Sequence, residues 1–312
     1  MTRILTLTPN PSIDTSTSVE RIMPVDKLRC APARRHAGGG GINVARVIHR
    51  LGSEVTAVYP RGGDTGDLLS QLVAREGIVS ETSQTRADTR EDFSVYETTS
   101  AKQFRFVLPG PPVGEAEWRA CLNVFRHRSH PPDFVVASGS LPPGAPPDFY
   151  ARACRIAKSW NAKFILDTTG PALKAALAEG VHLIKTNLPE LGATFGEPLE
   201  RETDWVRACV RLVNSGQVEI VALTLGHRGA LLVERDRALR AQPLPIEPLS
   251  AVGAGDSFLG GLVWSLAMGS DLESAFRVAV AAGASALLRP GTDLARPEDT
   301  HRLAAEVLVT TL

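Results

Sequence analysis

The 312-residue chain lacks the features that mark several protein classes. It has only four cysteines, Cys30, Cys121, Cys154 and Cys209, widely spaced and without a CxxC pair. This argues against a disulfide framework or a zinc site and fits a reducing compartment; each thiol is expected to be a small buried hydrophobe. No uninterrupted apolar run reaches the ~18–20 residues that span a bilayer. Ile4–Leu7 is too short for a leader and soon meets Pro9-Asn10-Pro11, so the chain reads as cytoplasmic, with no membrane partner. Excess charge of one sign is missing too, since 34 Lys+Arg balance 34 Asp+Glu. That argues against a broadly basic nucleic-acid binder. Lysine is scarce, with Lys27, Lys102, Lys158, Lys163, Lys174 and Lys185 the only six, so each one stands out.

Several ligand motifs are also missing. A dinucleotide fingerprint starting at Gly253 would need Gly where Phe258 stands, and one starting at Gly39 would need it at Val44. No Walker A lysine follows a glycine, and there is no HExxH. His127 and His130 have HxxH spacing but sit in a basic segment, where solvation is the simpler expectation.

The residues present, 43% of them hydrophobic, suffice for a substantial core. Buried-strand patterns occupy Arg3–Thr8, Val55–Tyr59, Phe134–Ser138, Lys163–Thr168, His182–Thr186 and Ile220–Leu225. Helical patterns fall between them at about Ile42–Leu51, Gly66–Glu76, Glu115–Phe125, Asp148–Ser159 and Asp204–Asn214, and Ala254–Leu288 is mostly helical. The alternation predicts an α/β fold, an open and mostly parallel sheet with helices on both faces. Two more polar stretches, about 14–36 and 90–108, break the rhythm. They read either as a few antiparallel strands forming a small lid or as long surface loops. No linker divides the chain, so residues 1–312 are expected to form one domain.

Chemistry concentrates in Val252-Gly253-Ala254-Gly255-Asp256-Ser257-Phe258, a loop that enters a helical pattern. Free N–H groups and the helix dipole at such a start favour phosphate oxygens. A carboxylate there is unfavourable for plain anion binding, so Asp256 suggests proton abstraction or metal handling; a dipole-stabilised first-turn residue is the equal alternative. Gly38-Gly39-Gly40-Gly41-Ile42-Asn43 offers a second donor surface, or else a hinge. Asp14, Ser138–Gly144, Lys185–Glu190 and Thr224–Gly229 follow strand patterns. They are expected to meet at the carboxyl edge of the sheet.

Together these motifs resemble the PfkB (ribokinase-like) carbohydrate kinase family across essentially the whole chain. The pair Gly-Gly-Gly-Gly-Ile-Asn-Val-Ala and Val-Gly-Ala-Gly-Asp-Ser-Phe carries the resemblance. Lys27-Leu28-Arg29-Cys30, Gly38–Arg46 and Ser138–Gly144 point to its phosphosugar branch, on the side of the minor bacterial 6-phosphofructokinases. The resemblance implies ATP-dependent phosphorylation of fructose 6-phosphate, with Asp256 as general base and the Gly253, Ala254 and Gly255 backbone as anion hole. It implies that Asp14, Gly39 and Asn43 hold sugar hydroxyls, while Arg90, Gly139 and Ser140 position the phosphorylated substrate. ATP would meet Lys27, Lys185, Asn187, Thr224, Gly226 and Gly229, and Glu190 would hold Mg²⁺ through water. Carbonyls around Ser250, Val252, Ala286, Arg289 and Gly291 would hold K⁺, and the lid would close over the sugar and form a homodimer interface.

Departures qualify the acceptor. Thr8-Pro9-Asn10-Pro11-Ser12-Ile13-Asp14 is more like 1-phosphofructokinases and tagatose-6-phosphate kinases, whereas Gly40 stands where 1-phosphofructokinases commonly have Lys. Thr186, Ala284 and Asp293 also differ from the closer relatives. A non-catalytic sugar-phosphate sensor is the reading from a different class, disfavoured by the intact Gly-Ala-Gly-Asp. A dehydrogenase is more distant still.

Overall fold

The structure, a computed structural model, describes residues 2–197 and 199–312. The first third of the chain holds β1 (Ile4–Leu7), β2 (Ser12–Val19), β3 (Arg34–Gly38), α1 (Gly40–Arg50), β4 (Val55–Arg61), α2 (Gly63–Arg75), β5 (Val79–Gln84), β6 (Arg90–Glu97) and β7 (Lys102–Phe106). Next come α3 (Glu115–Arg126), β8 (Phe134–Ser138), α4 (Phe149–Ser159), β9 (Lys163–Asp167), α5 (Gly170–Leu177), β10 (Val181–Asn187), α6 (Leu188–Phe195) and α7 (Glu202–Asn214). The remainder is β11 (Val218–Thr224), β12 (Ala230–Glu234), β13 (Arg237–Ala241), α8 (Ala254–Ala267), α9 (Leu272–Leu287), α10 (Pro297–Ala304) and β14 (Val309–Thr311).

The large sheet has the order β14-β13-β12-β11-β10-β9-β8-β1-β4-β5. From β11 to β5 every neighbour is parallel, and β12, β13 and β14 add an antiparallel edge. Side chains alternate between two cores, as strand geometry requires. In β8, Val135 and Ala137 pack with α3, α4, α5 and α7, while Phe134 and Val136 pack with α1, α2, α8 and α9. β11 repeats this, with Val221 and Leu223 on the first face and Ile220 and Ala222 on the second. Helices therefore cover both faces, as the alternation of patterns predicts.

The polar stretches do form a sheet, β3-β2-β6-β7. Its central pair β2–β6 is parallel rather than antiparallel, and only the flanking pairs β2–β3 and β6–β7 are antiparallel. The physical reason is connectivity. β2 and β6 are separated by α1, β4, α2 and β5, so the chain re-enters this sheet after a long crossover rather than a hairpin. The sheet is two-sided. Phe93 lies opposite Phe106 and Val95 opposite Phe104, on a face where Phe93, Phe104 and Phe106 are exposed. The other face carries Asp14, Ser16, Arg90, Asp92 and Arg105.

Cys121, Cys154 and Cys209 are buried free thiols, but Cys30 is exposed on the loop before β3, so the expectation of burial fails there. Met23, Val25 and Leu28 of the same loop are exposed too, so the segment does not pack into the core. His127 is exposed, its Nδ1 within 2.7 Å of the Asn123 carbonyl. Among the described residues no helix is long and apolar enough to cross a membrane.

Candidate active site

The parallel strands end on one edge, and the loops that leave them build a cleft of about 970 Å³. It is lined by Lys185, Asn187, Thr224, Gly226, Gly229, Gly253, Ala254, Gly255 and Asp256. Its apolar wall comes from the Pro243–Pro248 segment together with Phe258, Val280, Ala284 and Leu287. One end is thus polar and rich in backbone donors, and the other is a slot for a flat apolar group.

The polar end is the start of α8. Gly253 precedes the helix with φ of 77° and no side-chain cap, a left-handed conformation that glycine adopts without strain. The first helical N–H groups have no partner within the helix. Here they belong to residues 254–256, at the wall of the cleft. Asp256 sits in that same turn and is half-buried. Its pKa is raised to about 6, first by burial and then by the charge of Asp167, against Lys185 and a hydrogen bond from Asn43. Such a carboxylate is ionised at neutral pH yet close enough to its pKa to accept a proton readily.

Asp167 closes β9 and is a site residue that the sequence reading missed. Lys185 Nζ donates to its two carboxylate oxygens at 3.2 and 3.4 Å. Burial pulls the Lys185 pKa down, but Asp167, Asp256 and Glu190 outweigh it and hold the ammonium above its ordinary range. A cation beside the start of α8 therefore stays charged. The signal for Asp167 is its place at the carboxyl end of the Lys163–Thr168 strand pattern.

Asn187 and Glu190 form a capping box at the start of α6. Glu190 N donates to Asn187 Oδ1 and Asn187 N to Glu190 Oε2, each at 3.0 Å. The Asn-x-x-Glu spacing thus has a local cause, and it leaves the Asn187 amide N–H groups and Glu190 Oε1 for a ligand. Glu190 is half-buried beside the cleft but is not part of its lining. Among the described residues no group of three or more His, Cys, Asp or Glu could hold a metal ion. A divalent cation at Glu190 would take its other ligands from water and phosphate, as Mg²⁺ does.

A second group of polar side chains comes from the small sheet and the first glycine-rich loop. Asp14 on β2 accepts from Ser12 Oγ at 2.7 Å. Its pKa is raised, mainly by burial and further by Asp92, with Ser12, Arg46 and Arg105 opposing. Gly39 has φ of 100°, and a Cβ there would lie 2.7 Å from Thr8 Cγ2. Asn43 Nδ2 donates to Asp256 Oδ2 at 2.9 Å. Arg90 Nη1 binds Asp92 at 2.7 Å, and Arg90 Nη2 donates to Asn10 O at 3.2 Å. Arg90 Nε is buried without a partner, an unmet donor that a phosphate oxygen fits. Asn10 Nδ2 reaches Ser140 Oγ at 3.3 Å, and Tyr150 and Thr168 hydroxyls hold the Gly139 carbonyl.

Lys27 is not brought to this cleft. It is exposed on the loop between β2 and β3 and absent from the lining. Arg105 of β7 does line the cleft, a residue the sequence reading passed over. It shares the polar lid face with Asp14 and Arg90, so the period of two in Gln103–Val107 carried the signal.

Ser250 and Val252, just before α8, meet Gly291, just after α9. Ser250 Oγ donates to Gly291 O at 2.7 Å and accepts from Val252 N at 3.2 Å. Ala286 O accepts from Arg289 N at 3.1 Å.

Comparison with known proteins is consistent across most of the chain. The pfkB family carbohydrate kinase profile matches residues 8–299. An ATP-dependent 6-phosphofructokinase isozyme 2 of Mycobacterium tuberculosis is 42% identical over 97% of this chain and 90% of its own. The phosphofructokinase-2 of Escherichia coli in complex with substrates and products superposes with a TM-score of 0.92 at 39% identity, covering 97% of this chain and 99% of that one. Other structures of that protein are a potassium complex and a tetrameric inhibited form. A 1-phosphofructokinase of Xanthomonas campestris is 32% identical over 98% of this chain and 97% of its own.

Proposed function

Because the chain belongs to the pfkB family of carbohydrate kinases, phosphotransferases with a hydroxyl acceptor, we propose that it phosphorylates fructose 6-phosphate to fructose 1,6-bisphosphate with MgATP. The observation that carries this reading is Asp256, a carboxylate with pKa near 6 set in the first turn of a helix whose free N–H groups face the same cleft. The greater identity to 6-phosphofructokinases than to 1-phosphofructokinases supports the acceptor.

ATP lies with its base in the apolar slot and its phosphates toward Gly253–Gly255. The sugar lies under the lid, its hydroxyls on Asp14, Gly39 and Asn43, its phosphate at Arg90, Gly139 and Ser140. Asp256 removes the proton from the 1-hydroxyl, and the oxygen attacks the γ-phosphorus in line with the departing ADP. The 253–255 N–H groups take up charge on the phosphoryl oxygens. Lys185 adds positive charge on the nucleotide side. Mg²⁺ at Glu190 would neutralise phosphate charge. The carbonyls of Ser250, Val252, Ala286, Arg289 and Gly291 suit a hard monovalent cation such as K⁺, whose charge would reinforce the anion hole. The chain as a whole is one kinase domain with its lid, acting in the cytoplasm. The apolar outer face of the lid, with Phe93, Phe104 and Phe106 exposed, supports a homodimer formed through it.

The assignment is tested by coupled ADP release with fructose 6-phosphate, fructose 1-phosphate and tagatose 6-phosphate as acceptors. Fructose 6-phosphate is expected to give the highest kcat/KM, and the acceptor assignment fails if it is the poorest of the three. Arg90→Ala is expected to raise the KM for fructose 6-phosphate by about 10–100-fold, the equivalent of one charged hydrogen bond. The KM for ATP should stay within about twofold. An unchanged sugar KM would take Arg90 out of the phosphate site.

A further inference from the structure

Behind the proposed base lies a charged side chain that no sugar or nucleotide reaches. Arg46 of α1 is 1% exposed and among the largest fully buried residues of the chain. Its Nη1 donates to Asn43 Oδ1 at 3.3 Å and to the Ala37 carbonyl at 2.9 Å. Its Nε donates to Glu76 Oε1 of the loop after α2 at 2.6 Å. Glu76 in turn is held by Arg50 at 3.1 Å, and Arg50 by Asp293 at 3.0 Å. Arg46 Nη2 is buried with no partner.

Burying a guanidinium costs several kcal/mol, and a hydrophobic replacement of such a pair is often neutral or stabilising. The cost, with one nitrogen left unpaired, calls for a reason other than stability. The reason lies in the amide. A guanidinium is only a donor, so the side of Asn43 that faces Arg46 must be the carbonyl oxygen. The NH₂ group is thereby directed at Asp256 Oδ2, 2.9 Å away, and a flipped amide would set its NH₂ against Arg46 and its oxygen against the carboxylate. One proton of the amide binds the base, and one remains for the substrate.

We infer that the Arg46–Glu76 pair is a positioning device for catalysis. It fixes the orientation of the Asn43 amide, and through it the ionised form and rotamer of Asp256, leaving Oδ1 of the base directed to the sugar hydroxyl. The same contact to Ala37 ties it to the strand that leads into the glycine-rich loop. This inference rests on Asp256 being the base.

The test compares Arg46→Met/Glu76→Gln, Asn43→Ala and the triple variant combining them, each in the full-length enzyme, by kcat, KM and the pH profile of kcat/KM. Loss of the directed amide removes a hydrogen bond that favours the carboxylate. The acid limb of the Arg46→Met/Glu76→Gln variant is therefore expected to move up by roughly one pH unit. Its kcat should fall by about tenfold or more, as misplacement of a reacting group does, with the KM for ATP unchanged. In the Asn43→Ala background the Arg46 and Glu76 changes should add little, because their route to the base is already cut. If the folded variant keeps its acid limb and a kcat within twofold, or if the effects simply add, Arg46 is a structural residue and the inference is overturned. If that variant does not fold, Glu76→Gln alone carries the test, with a smaller upward move of the limb expected and no move overturning it. Asp256→Asn is measured alongside. Should it keep full turnover, the base itself is wrong, whereas an inactive Asp256→Asn beside an unaffected Arg46 variant refutes only the positioning.

Discussion

Asp256→Asn is expected to lower kcat by ~10²–10⁴-fold, the usual worth of a general base, while both substrates still bind. Asparagine keeps the shape of the side chain and an oxygen to accept from Asn43, so the neighbouring contacts survive and only proton transfer is lost. The pH dependence follows from the same group. Its pKa is about 6 in the folded protein against an ordinary 3.8, and the active form is the carboxylate. Wild-type kcat/KM should thus fall as pH drops through about 6, and the residual activity of Asp256→Asn should lack that limb. Stability moves the opposite way. A carboxyl with a raised folded pKa stabilises the fold fully below pH 3.8, and that contribution is lost as pH rises through about 6. At pH 8 the ionised Asp256 is a burden that asparagine removes. The variant should therefore melt at or above the wild-type temperature at pH 8, with the advantage gone at pH 4. Calorimetric binding, ADP release and thermal melts check the three parts. Turnover near wild type would remove Asp256 from its role.

The parts of the fold that could be read from sequence are those where burial on both faces writes a continuous apolar run. Phe134–Ser138 is fully buried, and its bounds were read to the residue. β5, Val79–Gln84, pairs with β4 on the sheet's outer edge and is polar and half-exposed, so it carries no such run. Antiparallel β12–β14 escaped for a different reason. Ala230–Glu234 is apolar enough and forms a hairpin with the more polar Arg237–Ala241, but the outermost partner of that hairpin comes from residues 309–311, and local pattern says nothing of that pairing. The site divides along the same line. Asp256, Gly253 and Lys185 sit in motifs whose composition is odd for any purely structural purpose. Asp167 and Arg105 are ordinary residues in ordinary strands, brought to the candidate site by where the sheet edge and the small sheet place them. Asn43 was legible as a site residue but not its partner, because the hydrogen bond to Asp256 spans 213 positions of the chain.

Gly253→Ala is expected to lower kcat by about 10²–10³-fold, the scale of losing an oxyanion-hole donor. Two separate effects converge on this position. The backbone has φ of 77°, which costs an L-residue roughly 1–2 kcal/mol. A Cβ there would also stand 2.5 Å from Leu294 Cδ2, so something must shift, and Leu294 is itself buried. Relief comes from Leu294 or from the loop, the left-handed strain falls on the loop alone, and the loop carries the N–H groups of residues 254 and 255. A shift of about 1 Å suffices to spoil alignment with the transferred phosphoryl group. The apolar slot for the base is formed by other segments, so binding of ATP should weaken far less than turnover. Adding Leu294→Ala separates the two effects. It removes the clash but not the left-handed strain, so the double variant should recover part of the lost kcat and not all of it. Full recovery would mean that sterics alone hold the loop, and a Gly253→Ala enzyme within about threefold of wild type would mean that these N–H groups are not the anion hole. Asp256 follows Gly253 by three residues in the same turn, so the base and the hole are set by one backbone. The acid limb near pH 6 should persist in Gly253→Ala, since Asp167, Lys185 and Asn43 still surround the carboxylate, and its persistence beside a lowered kcat assigns the loss to the hole rather than to the base.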